Sequence, residues 1–405
     1  MSIRKKLTGN FLALFSMQLV NMLLPLLTLP FLGKTLGPSG FGLVMFSQAF
    51  IQYFVLITDF GFNLSATRQI SINRDNFTKI NQIVNAVYVI KLLLLLLSIL
   101  ITVIIVLFFS QFREYWYIYI LNFGVVIGNV LFPVWLFQGM EQMRYTTVLN
   151  VVAKTIFTAS IFLIVKSQEQ LLLVPLLNSI GYIVSGVIGL IIAIKQFNLR
   201  CIIPKKLIIF SQLKESAQFF ISRVSVSAYT LTNTLILGLV AGHSMVAYFS
   251  IAEKLVNVVA VGVSTIIDAV YPHMAKSRDI GLFKKIFIVI MIVSTIGCII
   301  LFLLSDFIIS IIFGDNYSVS GHIFRIMLVA TYISIPSMLI GYPLLAAFGH
   351  SKYANYSVLI ASLIHIIMLL IGHAHLNVYT VSYILIVTQI IVLTIRIYGV
   401  KKKIL

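Results

Sequence analysis

Twelve apolar runs of helical length decide what this chain can fold into. They fall at about 11–32, 42–62, 81–109, 115–138, 147–165, 171–194, 217–241, 246–272, 286–310, 323–348, 354–374 and 377–398. Each is bounded by Gly, Pro, Asn or charge. A helix crosses the hydrocarbon core with about 20 apolar residues. Inside lipid only helices and closed barrels satisfy every backbone group. The pattern therefore predicts an all-α integral membrane protein with about twelve transmembrane helices. Composition agrees: 60% of residues are hydrophobic and 10% charged, whereas soluble domains run roughly 45–50% apolar and 25% charged. A soluble enzyme, a secreted domain and a disordered chain are excluded.

The chain holds 29 Lys and Arg against 11 Asp and Glu, a net charge of +18. In a soluble protein that excess would suggest nucleic acid. In a membrane protein its first meaning is orientation, because basic residues are retained in cytoplasmic loops. With the N-terminus inside, 21 of the basic residues fall in inner segments. Only Lys34, Arg113 and Lys166 fall in outer ones. Both termini are thus expected in the cytoplasm, with an even number of spans. The opening MSIRKK resembles the start of a signal peptide but lacks a small-residue cleavage site, so it reads as part of a retained first helix. Cys201 and Cys298 suggest neither a disulfide nor a metal site.

The longest connection, 195–216, is basic, contains Pro204 and lies at the midpoint. It is expected to link two six-helix bundles, 1–194 and 217–405, facing each other across a cavity. A weak internal echo agrees. Phe132-Pro133, five residues, Gly139 and then Tyr145 in the first half match Tyr342-Pro343, five residues, Gly349 and then Tyr353 in the second. Repeats with even span numbers run parallel, related by an axis along the membrane normal. The outer loops are short, and none could hold a folded catalytic domain.

Nucleophile–base pairs, metal-ligand clusters and phosphate-binding glycine loops are absent from the sequence. No enzyme chemistry and no cofactor are expected. His373 and His375 read as solvated loop residues, and His365 as a helix–helix hydrogen bond more than a substrate contact. Charges inside the spans are the informative residues, because a cation at the bilayer centre costs at least about 2.5–3.5 kcal/mol. Arg223 sits in the most polar run, among Ser222, Ser225, Ser227, Tyr229, Thr230, Thr232 and Asn233, and a helix that polar is expected to line a cavity. Lys154 lies near Asn150, Thr155 and Thr158, balanced between a cavity role and none; Lys91 follows Asn85 and Tyr88 but precedes an unbroken Leu run, so snorkelling is expected ahead of a cavity role. Glu253 and Lys254 are adjacent, so they point about 100° apart and need partners elsewhere. The acids Asp268 and Asp59 are coupling or structural carboxylates, with Arg68 or Lys276 as expected ion-pair partners. Arg223, Lys154, Lys91 and Lys254 make the spans more basic than acidic, and such a cavity suits a phosphate or pyrophosphate headgroup.

Several stretches resemble a known family. They are Asp59-Phe-Gly-Phe-Asn-Leu-Ser-Ala-Thr-Arg68-Gln-Ile-Ser71, Pro133-Val-Trp135-Leu-Phe-Gln-Gly139-Met-Glu141, Tyr248-Phe-Ser-Ile-Ala-Glu253-Lys254-Leu and Tyr271-Pro-His-Met-Ala-Lys276. These are similar to the polysaccharide-transporter family of the multidrug/oligosaccharidyl-lipid/polysaccharide flippases, and within it to Wzx-type O-antigen flippases. The resemblance implies a bacterial inner-membrane protein. Its partners would be the membrane, an undecaprenyl-pyrophosphate-linked oligosaccharide and other O-antigen assembly proteins, with no nucleic acid. It further implies alternating access and coupling to a proton or sodium gradient. Two rivals keep different expectations. An ion-coupled multidrug antiporter of the same architecture should have a more acidic, aromatic cavity. A membrane enzyme such as O-antigen polymerase should carry a large charged outer loop, and an acyltransferase a His-based site near the membrane surface.

Overall fold

Glycine and proline set the first bend of the chain. α1 (Ile3–Asp59) is a helix interrupted at Gly37, where φ 66 and ψ 172 leave helical space. Glycine reaches that region without strain, and Pro38 behind it offers no N–H to the preceding turn. The expected runs 11–32 and 42–62 thus lie on the two arms of one bent element. The computed structural model describes the backbone of residues 3–404. Of the side chains, residues 1–23, Pro25, Ser222, Val226, Ala228, Tyr229, Ala269 and Pro272, together with Leu405, lie outside the described residues. The expectations placed on Arg4, Lys5, Lys6, Ser222 and Tyr229 therefore fall outside them.

The described residues are mostly helical, with no strand among them. Ten segments among them are long and apolar enough to cross a membrane, so the chain is an all-helical, multi-pass membrane protein. The expected run 217–241 is not among the ten. It is divided between α9 (Lys206–Thr230) and α10 (Thr232–Val240), and the Gln, Ser, Lys and Glu residues of α9 dilute its apolar character. α9 begins inside the segment expected to be a linker.

The chain forms two compact units, residues 1–36 with 46–224, and residues 37–45 with 225–405. The first holds most of α1, then α2 (Phe62–Ile72), α3 (Phe77–Phe108), α4 (Ser110–Arg113), α5 (Trp116–Leu131), α6 (Val134–Gly139), α7 (Met143–Ile164), α8 (Leu173–Gln196) and most of α9. Small residues bring α5 and α8 together, the usual device where hydrophobicity cannot drive association. A Cβ on Gly124 would lie 2.5 Å from that of Ser179, and one on Gly128 would lie 2.3 Å from the Tyr182 backbone. Beside this contact Phe62, Ile70, Val87, Trp135 and Phe137 form a core with almost no exposure.

In the second unit, α14 (Ser318–Leu339) packs against α11 (His243–Ser277), α12 (Ile280–Leu303), α13 (Ser305–Phe313) and α16 (Val378–Lys403). α15 (Ser351–Ile371) packs on α16. The segment 37–45 docks on this unit: Phe41 meets Tyr317 edge-on at 6.5 Å, and a Cβ on Gly42 would come within 1.7 Å of the His243 carbonyl oxygen. After α14 the chain makes a π-helical stretch, Ile340–Ala346, where Pro343 withholds one N–H from the ladder. The two halves of the expected sequence echo differ locally. Pro133 separates α5 from α6, whereas Pro343 lies inside the π-helical stretch.

Candidate functional site

The first unit gathers a polar seam where α9 runs along the end of α1 and along α2. Gln212, Glu215, Ser216, Phe220 and Arg223 recur at helical spacing, so one face of α9 presents them together. Gln212 Nε2 donates to Gln69 Oε1 at 2.5 Å, Gln69 Nε2 donates to Glu215 Oε2 at 2.7 Å, and Ser65 and Ser216 share a 2.6 Å hydroxyl hydrogen bond. Phe60 stacks on Phe220 with ring centroids 4.6 Å apart. Gly61, at φ +80, makes the close approach possible: a Cβ there would stand 2.9 Å from the Ser216 carbonyl oxygen and the Phe220 nitrogen.

At the end of this seam Arg223 Nη1 donates to Asp59 Oδ2 at 2.7 Å. The pair is asymmetric. The Asp59 side chain is 4% exposed and that of Arg223 45%. Among the described residues none donates to Oδ1 of Asp59 at hydrogen-bonding geometry, and the contact with Arg223 uses one nitrogen of the fork. The rest of the guanidinium makes no hydrogen bond to a described residue. The expected partners of Asp59, Arg68 and Lys276, are both exposed; the actual one lies 164 residues away. Lys91 lies within electrostatic reach of Asp59. It does not snorkel: it is 2% exposed and donates from Nζ to the Asn129 carbonyl at 3.3 Å.

The other expected residues do not join this cluster. Lys154 is half-buried on α7 in the same unit. Glu253, Lys254 and Asp268 all lie on α11, in the second unit. Glu253 is half-buried beside the exposed Lys254, which acts on it electrostatically, and Asp268 is exposed. His365 is a helix–helix link: buried, with Nδ1 2.7 Å from Thr388 Oγ1 and Nε2 2.8 Å from Asn233 Oδ1. It ties α15 to α16 and α10. No group of three metal-ligating side chains exists among the described residues.

Two features escaped the sequence. The polar face of α9 was hidden in what read as a linker, although Gln212, Ser216 and Arg223 already carry the spacing. Arg396, counted with the basic C-terminal segment, is 6% exposed inside α16. It donates from Nη1 to the Ser337 carbonyl at 2.7 Å, from Nε to Ser357 Oγ at 3.0 Å and from Nη2 to the Ala354 carbonyl at 3.3 Å. It therefore clamps α14, α15 and α16 where the π-helical stretch begins. Gly341 makes room for it, since a Cβ there would lie 2.5 Å from Nη1.

An ion pair with one buried member and hydrogen-bonded polar side chains, set into long apolar helices, define a polytopic membrane protein. The fold is shared with the "Lipid II flippase MurJ, inward closed conformation", at a TM-score of 0.76 and 15% identity over 96% of this chain and 87% of that one. It is also shared with the inward-facing conformation of a multidrug resistance MATE family transporter of the MOP superfamily, at 0.69 and 13% over 96% and 98%. The chain belongs to the polysaccharide biosynthesis protein family, whose model matches residues 7–278. Two curated relatives carry the name "Putative O-antigen transporter". The one from Escherichia coli (strain K12) is 24% identical over 90% of this chain and 89% of its own length. The one from Shigella dysenteriae is 28% identical over 88% and 91%.

Proposed function

We propose that this protein is a Wzx-type flippase. It moves undecaprenyl-pyrophosphate-linked O-antigen repeat units from the cytoplasmic to the periplasmic leaflet of the bacterial inner membrane, for lipopolysaccharide biosynthesis. The observation that carries the reading is the match, over about nine-tenths of the chain, to two bacterial proteins with O-antigen transporter names. In this reading the chain crosses the membrane twelve times, α9–α10 included, with both termini in the cytoplasm. Its two lobes alternate access, driven by an ion gradient, and no covalent bond changes.

The Asp59–Arg223 pair gives the reading its chemistry. Arg223 holds the pyrophosphate through the nitrogens that Asp59 leaves unused, since a planar fork can donate two bonds to one phosphate. Lys154 and Lys254 add positive charge, and Lys91 serves mainly to balance Asp59. Glu253, Asp268 and Asp59 are the carboxylates available for ion coupling. The MATE likeness favours a second reading, a multidrug antiporter; the cation excess of the spans and the family match weigh against it. Deleting the gene decides between them. Lipopolysaccharide core without O-antigen, with lipid-linked units accumulating on the cytoplasmic side, supports the flippase. Normal O-antigen in a strain shown to lack any substitute flippase removes it.

A further inference from the structure

An open groove lies between α11 and α12 in the second unit, with a volume of about 670 Å³. Ligand sites of small molecules occupy about 300–1,000 Å³. Both helices pack on α14. The walls run from Val258 to Val270 on α11 and from Lys285 to Leu301 on α12, and almost every residue between them is apolar. At 1.5 Å rise per residue these walls are about 18 and about 24 Å long.

Two glycines face this groove without a packing reason. A Cβ added at Gly262 or Gly297 would meet nothing within 4 Å, and neither residue has positive φ. A glycine inside a helix costs up to about 1 kcal/mol against alanine. In membranes glycine normally marks a tight helix contact, and here there is none. What the two residues do is keep the groove wide. Its Lys285 end is basic: Lys276, Arg278, Lys284 and Lys285 are all exposed there. Of the acids nearby, Asp268 on α11 is exposed and does not line the groove, and Asp279 caps α12 by accepting from the Leu282 N–H at 3.0 Å.

We infer that this groove holds the polyprenyl chain of an anionic lipid, with the phosphate at the Lys285 end. The inference rests on the flippase reading and adds to it the path of the tail. Length selects the occupant. One leaflet of a bilayer core is about 15 Å deep, half of about 30 Å, so a phospholipid acyl chain would leave the far end of the groove empty. A long polyprenyl chain fills it.

Native mass spectrometry of the full-length protein tests this, with undecaprenyl phosphate as probe and phosphatidylglycerol as competitor. The wild type should retain undecaprenyl phosphate at least tenfold over phosphatidylglycerol. Gly262→Phe/Gly297→Phe, which fills the groove, and Lys285→Glu, which reverses its charged end, should each cut retention at least tenfold. Ile288→Phe, on the opposite face of α12 and 55% exposed, should leave it unchanged. Wild-type retention in both groove variants, or equal displacement by phosphatidylglycerol, overturns the inference. Should the double variant not fold, the exposed Lys285 position decides alone. Restoration of O-antigen in a deletion strain by the wild-type gene is scored separately. If it succeeds while the groove variants bind normally, the groove is wrong and the flippase reading stands.

Discussion

Removing Arg223 and removing Asp59 should have unequal consequences. In Arg223→Ala the Asp59 carboxylate stays buried with its near partner gone. Stranding one member of a buried pair costs about 3–5 kcal/mol, and Lys91 offsets part of this from its own site. In Asp59→Asn the guanidinium left behind is 45% exposed, so water replaces that contact at the cost of a surface pair, about 0–1 kcal/mol, and the loss of the buried Lys91's counter-charge adds to it. The double variant Asp59→Asn/Arg223→Ala strands no carboxylate but leaves the buried Lys91 without its counter-charge, so it should regain only part of the stability lost in Arg223→Ala. Transport should behave differently. Charge-assisted hydrogen bonds contribute about 1.5–3 kcal/mol each, so losing the fork should cut O-antigen display at least tenfold in both Arg223→Ala proteins. Arg223→Lys should lose less. Thermal unfolding of the purified proteins gives the first quantity, and display normalised to membrane protein level the second. Normal display by the double variant would refute the reasoning, because it would make the arginine a mere counter-ion of Asp59.

Other expectations follow from the same geometry. Gly128→Val should press into the Tyr182 backbone and destabilise the α5–α8 contact by about 1–3 kcal/mol or more, seen as reduced membrane abundance. His365→Ala removes two interhelical hydrogen bonds, each worth about 0.6 kcal/mol on average in a membrane; melting should fall modestly, and His365→Gln should recover part of the loss. Reporter fusions near Ser39, Ser318 and His373 should read outside, and those near Asn73, Lys206, Ser277 and Lys402 inside. A periplasmic signal at Lys206 would break the two-lobe topology.

Span positions were legible because they depend on local apolar length. Nine of the twelve expected runs coincide, within several residues, with described helices, and the Gly37 bend is announced by Gly37-Pro38. Arg223 also stood out, since a cation within a polar run has few explanations. Its partner did not. Proximity in sequence suggested Arg68 for Asp59, but the ion pair is made by tertiary packing of α9 on α1 and α2, which no local pattern encodes. Arg396 was misplaced for a related reason. A basic residue five positions before Lys401 looks like part of a solvated tail, and only the fold shows the carbonyls that receive it. The groove beside Gly262 and Gly297 was invisible as well, because a glycine in an apolar helix reads as packing until its surroundings are seen to be empty.

Reconstituting the purified protein into sealed vesicles with a labelled undecaprenyl-pyrophosphate oligosaccharide tests the central claim most directly. Lipid-linked sugar should become accessible from the opposite face only when the protein is present, and at least tenfold more slowly with Arg223→Ala. Transfer no faster than in protein-free vesicles, under a proton gradient and under a sodium gradient alike, would contradict the account.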